Sequence, residues 1–169
     1  VLSQKAFEFT DWKVMGRSYN VMESGRIWPG LYAFENTVRI ENIRGDETLV
    51  IGLVNSNTED SLEVHQVNDR YTVLYTYDYQ SYEKEWKIGL GLIIPTGPYQ
   101  GYIEAPEKGR ITDSYLAKLK VASTQPVTYY VVGGWELSPD DFTTEENFKD
   151  YIIDLAKQLS AEITTEVIR

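Results

Sequence analysis

Apolar and polar positions alternate with a period of two over several short runs of this chain, and a period of 3.6 appears only near its end. The clearest alternation is Tyr71-Thr72-Val73-Leu74-Tyr75-Thr76-Tyr77-Asp78-Tyr79-Gln80. Side chains of a strand point to opposite faces in turn. Tyr71, Val73, Tyr75, Tyr77 and Tyr79 therefore share one face, and Thr72, Leu74, Thr76, Asp78 and Gln80 the other. Thr37 to Ile43 alternates in the same way, with Val38, Ile40 and Asn42 on one face. The turn Arg44-Gly45-Asp46-Glu47 and the apolar run Thr48 to Val54 follow, which predicts a hairpin. Trp86 to Pro95 reads as a strand whose near-continuous apolar half is buried on both faces. Val127 to Val132 is β-branched and aromatic, hence a strand. Ala6 to Val14 is ambiguous, and Tyr115 to Ala122 reads equally as strand or short helix. Pro29-Gly30, the polar run Asn55 to Ser61 and Thr96-Gly97-Pro98 punctuate these segments.

The last element changes period. Thr143 and Glu146 have capping-box spacing, in which the hydroxyl accepts from the third amide and the acid reaches back to the cap. Phe148, Tyr151, Ile152, Leu155 and Leu159 then form one apolar stripe at helical spacing. The spacing predicts a helix over about 144–160, packed on the β body, with Ile163 to Ile168 as a final strand. Together these elements predict one mainly β domain over 1–169, an antiparallel β-sandwich with one C-terminal amphipathic α-helix.

Composition narrows the function classes. The chain is 42% hydrophobic, enough to fill a core, and its net charge of -10 repels phosphate backbones. Nucleic acid and anionic membranes are therefore not expected as partners. There is no cysteine, and His65 is the single histidine, so thiol chemistry and a multi-histidine metal site are excluded. No motif implies a cofactor or a metal. No apolar run reaches the roughly 18 residues of a membrane span. The chain starts at Val1 without Met, which suits a mature secreted form or a piece of something longer.

Three features carry candidate chemistry. His65 is the one side chain whose ordinary pKa lies near neutrality, suiting it to general acid or base work; the plainer reading is a hydrogen-bonded strand histidine. The tyrosine ladder offers apolar ring faces and polar tips, as a sugar platform does; the plainer reading is a sheet face covered by the helix. Gly133-Gly134-Trp135-Glu136 places an acid beside an indole, where a raised pKa would suit acid chemistry; the plainer reading is a strand end with a solvated Glu. Gly89-Leu90-Gly91 has no phosphate loop or helix start after it and reads as tight packing. Glu59-Asp60 and Asp140-Asp141 read as solvated loop pairs.

Three segments in order, Leu74 to Ser81, Lys87 to Pro95 and Pro126 to Glu136, followed by the helix, resemble the C-terminal half of a bacterial domain-of-unknown-function family encoded beside pectin- and ulvan-degrading enzymes. The resemblance implies a sugar-processing supersandwich, in the periplasm or secreted, acting on uronic-acid-containing oligosaccharides. One branch of that family is thought to remove water from oligosaccharide ends. Such an elimination needs a base, an acid and a cation or donor for the charge growing on the sugar carboxylate. By residue type, His65 or Tyr77 is the expected base, Glu136 the acid, and Arg39 or Arg70 the carboxylate partner, with Tyr75, Tyr79 and Trp135 as sugar contacts. Family members are longer, so a missing N-terminal segment or a second chain is an expected partner beside the oligosaccharide. Two other readings stay open: a non-catalytic carbohydrate-binding module, and an assembly fragment of a larger protein.

Overall fold

The computed structural model describes residues 2–123, 125–138 and 142–162. Ten strands and one helix follow in order: β1 Ser3–Val14, β2 Arg17–Ile27, β3 Ala33–Glu41, β4 Thr48–Val54, β5 Glu63–Gln66, β6 Tyr71–Asp78, β7 Ile88–Pro95, β8 Tyr99–Glu104, β9 Ser114–Lys120, β10 Val127–Trp135 and α1 Glu145–Ser160. All pairings are antiparallel. One sheet has seven strands in the order β1-β2-β3-β10-β7-β6-β5, and the other has three in the order β4-β9-β8. The mainly β sandwich with a C-terminal helix is thus the architecture, and the helix adds a third layer.

The seven-stranded sheet is buried from both sides in its centre. Leu74, Leu92, Ile94, Val127 and Tyr129 point to the small sheet and meet Ile51, Leu53, Ala117 and Leu119. Val73, Tyr75, Tyr77, Ile93, Tyr130 and Val132 point the other way and meet Phe148, Ile152, Leu155 and Ala156 of α1. This explains the two-sided apolar character of Trp86 to Pro95 and the alternating tyrosines, whose ladder is largely the seat of the helix. Gly89, Gly91 and Gly134 flatten that seat. A Cβ on Gly134 would lie 2.8 Å from Phe148 and 2.9 Å from Phe142, and one on Gly91 would overlap Ile152. Side chains at these places would lift α1 off the sheet, so Gly89-Leu90-Gly91 serves close packing, as its apolar setting predicts.

Two expectations change, the hairpin and the helix cap, and two open readings are settled. Thr37–Ile43 and Thr48–Val54 do not form a hairpin: β3 lies between β2 and β10, so both its edges are taken, and β4 pairs with β9 in the other sheet. The intervening turn redirects the chain, with the Glu47 carboxylate accepting from the Arg44 and Gly45 amides at 2.9 Å. Tyr115 to Ala122 resolves as strand as far as Lys120, because its alternate residues Tyr115, Ala117 and Leu119 are core. Ala6 to Val14 is strand as well, paired with β2 across the tight turn at Met15-Gly16, where both φ are positive, and bulged between Phe9 and Trp12. The helix cap lies one residue later than the capping-box spacing places it: Thr144, not Thr143, accepts from the Asn147 amide at 3.2 Å, and Glu146 pairs with Lys149. The expected strand Ile163–Ile168 and the pair Asp140-Asp141 lie outside the described residues.

Candidate functional site

Antiparallel register sets one lateral row across the large sheet. Arg26 faces Glu35, Glu35 faces Tyr130, Tyr130 faces Ile93, Ile93 faces Val73, and Val73 faces His65. Directly paired residues share a face, and this row lies on the helix side. Its right half is apolar and covered by α1. Its left half is polar, and there the sheet and the α1 side chains Leu155 and Leu159 stand on either side of a hollow.

Glu35 is the centre of that polar half, with 6% of its surface exposed. A buried carboxylate is tolerated only when charge and hydrogen bonds replace water. Arg26 donates to Oε1 through Nε, at 2.6 Å, and through Nη2. The Tyr130 hydroxyl donates to Oε2 at 3.1 Å. Burial raises the Tyr130 phenol well above the ordinary tyrosine pKa, and the neighbouring Tyr71 and Glu35 raise it further. The Tyr71 ring meets Tyr130 edge-on, 6.2 Å between centroids.

The Pro29-Gly30 turn completes the site. Gly30 has φ +81°, a conformation that costs a side chain strain. Just before it, the Trp28 ring lies beside the Arg26 guanidinium, 5.5 Å from its carbon to the ring centre. Trp28, Pro29, Leu31, Glu35 and Tyr130 on the sheet side, with Leu155 and Leu159 of α1 opposite, enclose a hollow of about 320 Å³. That is at the lower end of small-ligand sites, which run from roughly 300 Å³ upward. The hollow offers an indole face, apolar walls, a carboxylate acceptor and a phenol, and the Arg26 guanidinium is bound to that carboxylate without lining the hollow.

The expected site residues fall into separate groups. His65 lies on the edge strand β5. Its ring stacks on Tyr75 at 5.9 Å, and Nε2 lies 3.4 Å from the Glu63 carboxylate, at ion-pair distance but without a hydrogen bond. Tyr75 is buried beneath α1 and donates to Glu145 at 3.2 Å; burial first, then Glu145, raises its pKa. Tyr77 is likewise buried, and its hydroxyl donates to the Phe142 carbonyl at 2.5 Å. Glu136 accepts from the Lys87 amide at 2.8 Å while its own amide donates to the Lys87 carbonyl at 3.1 Å, so it extends the β7–β10 pairing. The Lys87 ammonium lies over Tyr77 and Tyr79, 5.6 and 5.3 Å from the ring centres. Trp135 is half exposed, one residue past Gly134 and therefore on the face away from α1.

Tyr77, Tyr79 and Glu136 thus share one end of the sheet. His65 does not join them: the pairing of Val73 with His65, and of Asp78 with Ile88 and Ile88 with Trp135, puts five residues of β6 between their levels. At about 3.4 Å per residue that is roughly 17 Å along the strand. Arg39 pairs with Glu41 at 3.1 Å on β3. Arg70 donates to the Ser160 carbonyl at 3.2 Å and pairs with Glu162, closing the end of α1.

Residue type alone did not single out Arg26, Trp28, Glu35 and Tyr130. The Pro29-Gly30 turn gave no local signal for the pair: counting outward from it sets Arg26 opposite Ala33, whereas the observed register sets Arg26 opposite Glu35. Among the described residues no group of three or more His, Asp or Glu is arranged to hold a metal ion, and no helix is long and apolar enough to cross a membrane.

Comparison with curated proteins gives no match. Comparison with solved structures gives none either. A family model described as a domain of unknown function (DUF4861) matches residues 1–165, a span well beyond the three segments that carry the resemblance. The chain belongs to the DUF4861 family of domains of unknown function.

Proposed function

We propose that this chain is a carbohydrate-processing domain that takes a sugar residue into the hollow between Trp28, Glu35, Tyr130 and α1. The observation that carries the reading is Glu35 itself: a buried carboxylate, fixed by Arg26 and Tyr130, at the wall of a hollow with an indole beside it. Sugars present flat C–H faces, which suit an aromatic ring, and hydroxyl donors, which suit a fixed carboxylate.

The finer reading is an oligosaccharide dehydratase acting on uronic acid residues, in the periplasm or outside the cell. Loss of water next to a carboxylate needs a base for the adjacent proton, an acid for the leaving hydroxyl and a cation for the carboxylate. A carboxylate, a phenol and a guanidinium stand together at Glu35, Tyr130 and Arg26. In this scheme Glu35 accepts the carbon-bound proton, the Tyr130 hydroxyl protonates the departing oxygen, and Arg26 faces the sugar carboxylate. The second reading is a non-catalytic binding module. It is favoured by the mutual pairing of all three groups and by the distance of His65 from them.

The test is incubation with oligosaccharides from pectin, ulvan and alginate, followed by mass spectrometry. The enzyme reading expects loss of one water from a substrate, abolished by Glu35→Gln and by Tyr130→Phe but retained in His65→Gln and Glu136→Gln. Thermal stabilisation by a sugar without mass change supports the binding module. No stabilisation and no mass change with any of them sinks both.

A further inference from the structure

A second hollow lies on the opposite face of the large sheet, where the β1–β2 hairpin turns. Its volume is about 490 Å³, larger than that beside Glu35. Its floor is apolar: Val14, Tyr19, Ile40 and Val121 continue the core between the sheets. Trp12 stands at its side with 54% of its surface exposed. The bulge between Phe9 and Trp12 keeps that indole on the inner face, because one extra residue restores the alternation that would otherwise turn it away.

The rim opposite the floor is charged and rigid. Arg17 donates to both carboxylate oxygens of Asp46, at 2.7 and 3.0 Å, and to Glu47 at 3.0 Å. The Tyr19 hydroxyl donates to the same Glu47 oxygen at 3.0 Å. Glu47 is saturated, because the Arg44 and Gly45 amides also donate to it, but Asp46 keeps lone pairs free and remains largely open to solvent. An exposed indole beside an apolar floor and the oriented Asp46 acceptor does not suit a purely apolar ligand, which would strand that carboxylate. Nor does it suit an anion, because the rim carries two negative charges and one positive.

We propose that this hollow is a second sugar-binding site, selective for a neutral pyranose that stacks on Trp12 and donates its hydroxyls to Asp46. It shares no residue with the site at Glu35 and faces away from it. A glycan held here is tethered without blocking the first hollow.

Calorimetric titration of the full chain tests this, with the neutral hexaoses of glucose, xylose and mannose as probes and hexagalacturonate as the anionic control. At least one neutral probe is expected to bind. Trp12→Ala and Asp46→Asn should each weaken that binding ten-fold or more, while Tyr82→Ala, exposed and outside both hollows, should leave it unchanged. A proton–nitrogen correlation spectrum of the unmutated chain gives a readout independent of any variant: the Trp12 indole signal should move on addition of the neutral probe. The proposal is overturned if no neutral probe binds, if Trp12→Ala binds as well as the parent, if the Trp12 signal stays still, or if hexagalacturonate binds there equally well. Loss of binding in Trp28→Ala but not in Trp12→Ala would leave the Glu35 site standing and remove this one.

Discussion

Glu35 and Tyr130 face each other across β3 and β10, and the phenol donates to the carboxylate at 3.1 Å inside the wall of the hollow. Tyr130 is thereby held as a donor to one oxygen of Glu35, and Arg26 donates to the other. A donor and an acceptor are oriented before any ligand arrives, so little reorganisation is left for binding.

Replacing Glu35 by Gln keeps the shape of that wall but strips Arg26 of its counter-charge. Sugar binding is expected to weaken by at least ten-fold, equivalent to about 1.4 kcal/mol. The cost in stability should be about 1–2 kcal/mol, below the value for a fully buried pair because Arg26 is partly in solvent. Urea unfolding and probe titration measure the two separately. Unchanged binding in a folded variant would remove Glu35 from the site.

The raised phenols of Tyr75 and Tyr130 predict alkaline sensitivity. Their folded pKa values lie above the ordinary value of 10.0 because burial disfavours the phenolate, and Glu145 and Glu35 add to it. A raised folded pKa means stability that is fully present below pH 10 and lost as pH rises beyond it. Absorbance titration of the phenols should show Tyr75 and Tyr130 among the tyrosines that ionise only as the protein unfolds, with Tyr99 and Tyr129 raised by burial as well. Tyr130→Phe should remove one of them, at a stability cost near 1 kcal/mol for its hydrogen bond. Early ionisation of all tyrosines would contradict the burial of Tyr75 and Tyr130.

Glu47 predicts the opposite dependence at acid pH. Burial raises its pKa, but the Arg44 and Gly45 amides and the Tyr19 hydroxyl outweigh it and bring the value to about 2, from an ordinary 4.5. A depressed folded pKa gives stability that is present above pH 4.5 and lost as pH falls toward 2. Glu47→Gln should therefore flatten the fall of thermal stability over that window. A slope identical to the parent's would show that the corner between the sheets does not depend on this carboxylate.

The contact between Gly91 and Ile152 predicts a steric cost. Gly91→Ala places a methyl where Ile152 already lies, and Gly134→Ala pushes against Phe142 and Phe148. Each should destabilise by about 1–3 kcal/mol, the range for overpacking. Pairing Gly91→Ala with Ile152→Val should recover part of the loss, because the smaller side chain opens the space. Measured in urea, strict additivity of the two would argue against direct packing.

The sequence by itself determined the elements whose burial is written into their period. The alternation of Tyr71 to Gln80, the apolar run to Pro95, the β-branched Val127 to Val132 and the helical stripe from Phe148 all specify their own faces, because a strand repeats at two residues and a helix at 3.6. The glycines of β7 stated their role through their apolar surroundings. Partner choice was not written locally. Whether Thr48–Val54 turns back on β3 depends on β2 and β10 already occupying both edges of β3, a fact about residues distant in sequence. The site followed the same rule. Arg26, Glu35 and Tyr130 are spread over more than a hundred positions and become neighbours only through strand register. Tyr75 and Tyr77, which look like a platform in the sequence, are taken by the helix that packs on them. A side chain's chemical type is local, but its burial and its partners are set by what the fold lays against it, and only the tertiary structure decides that.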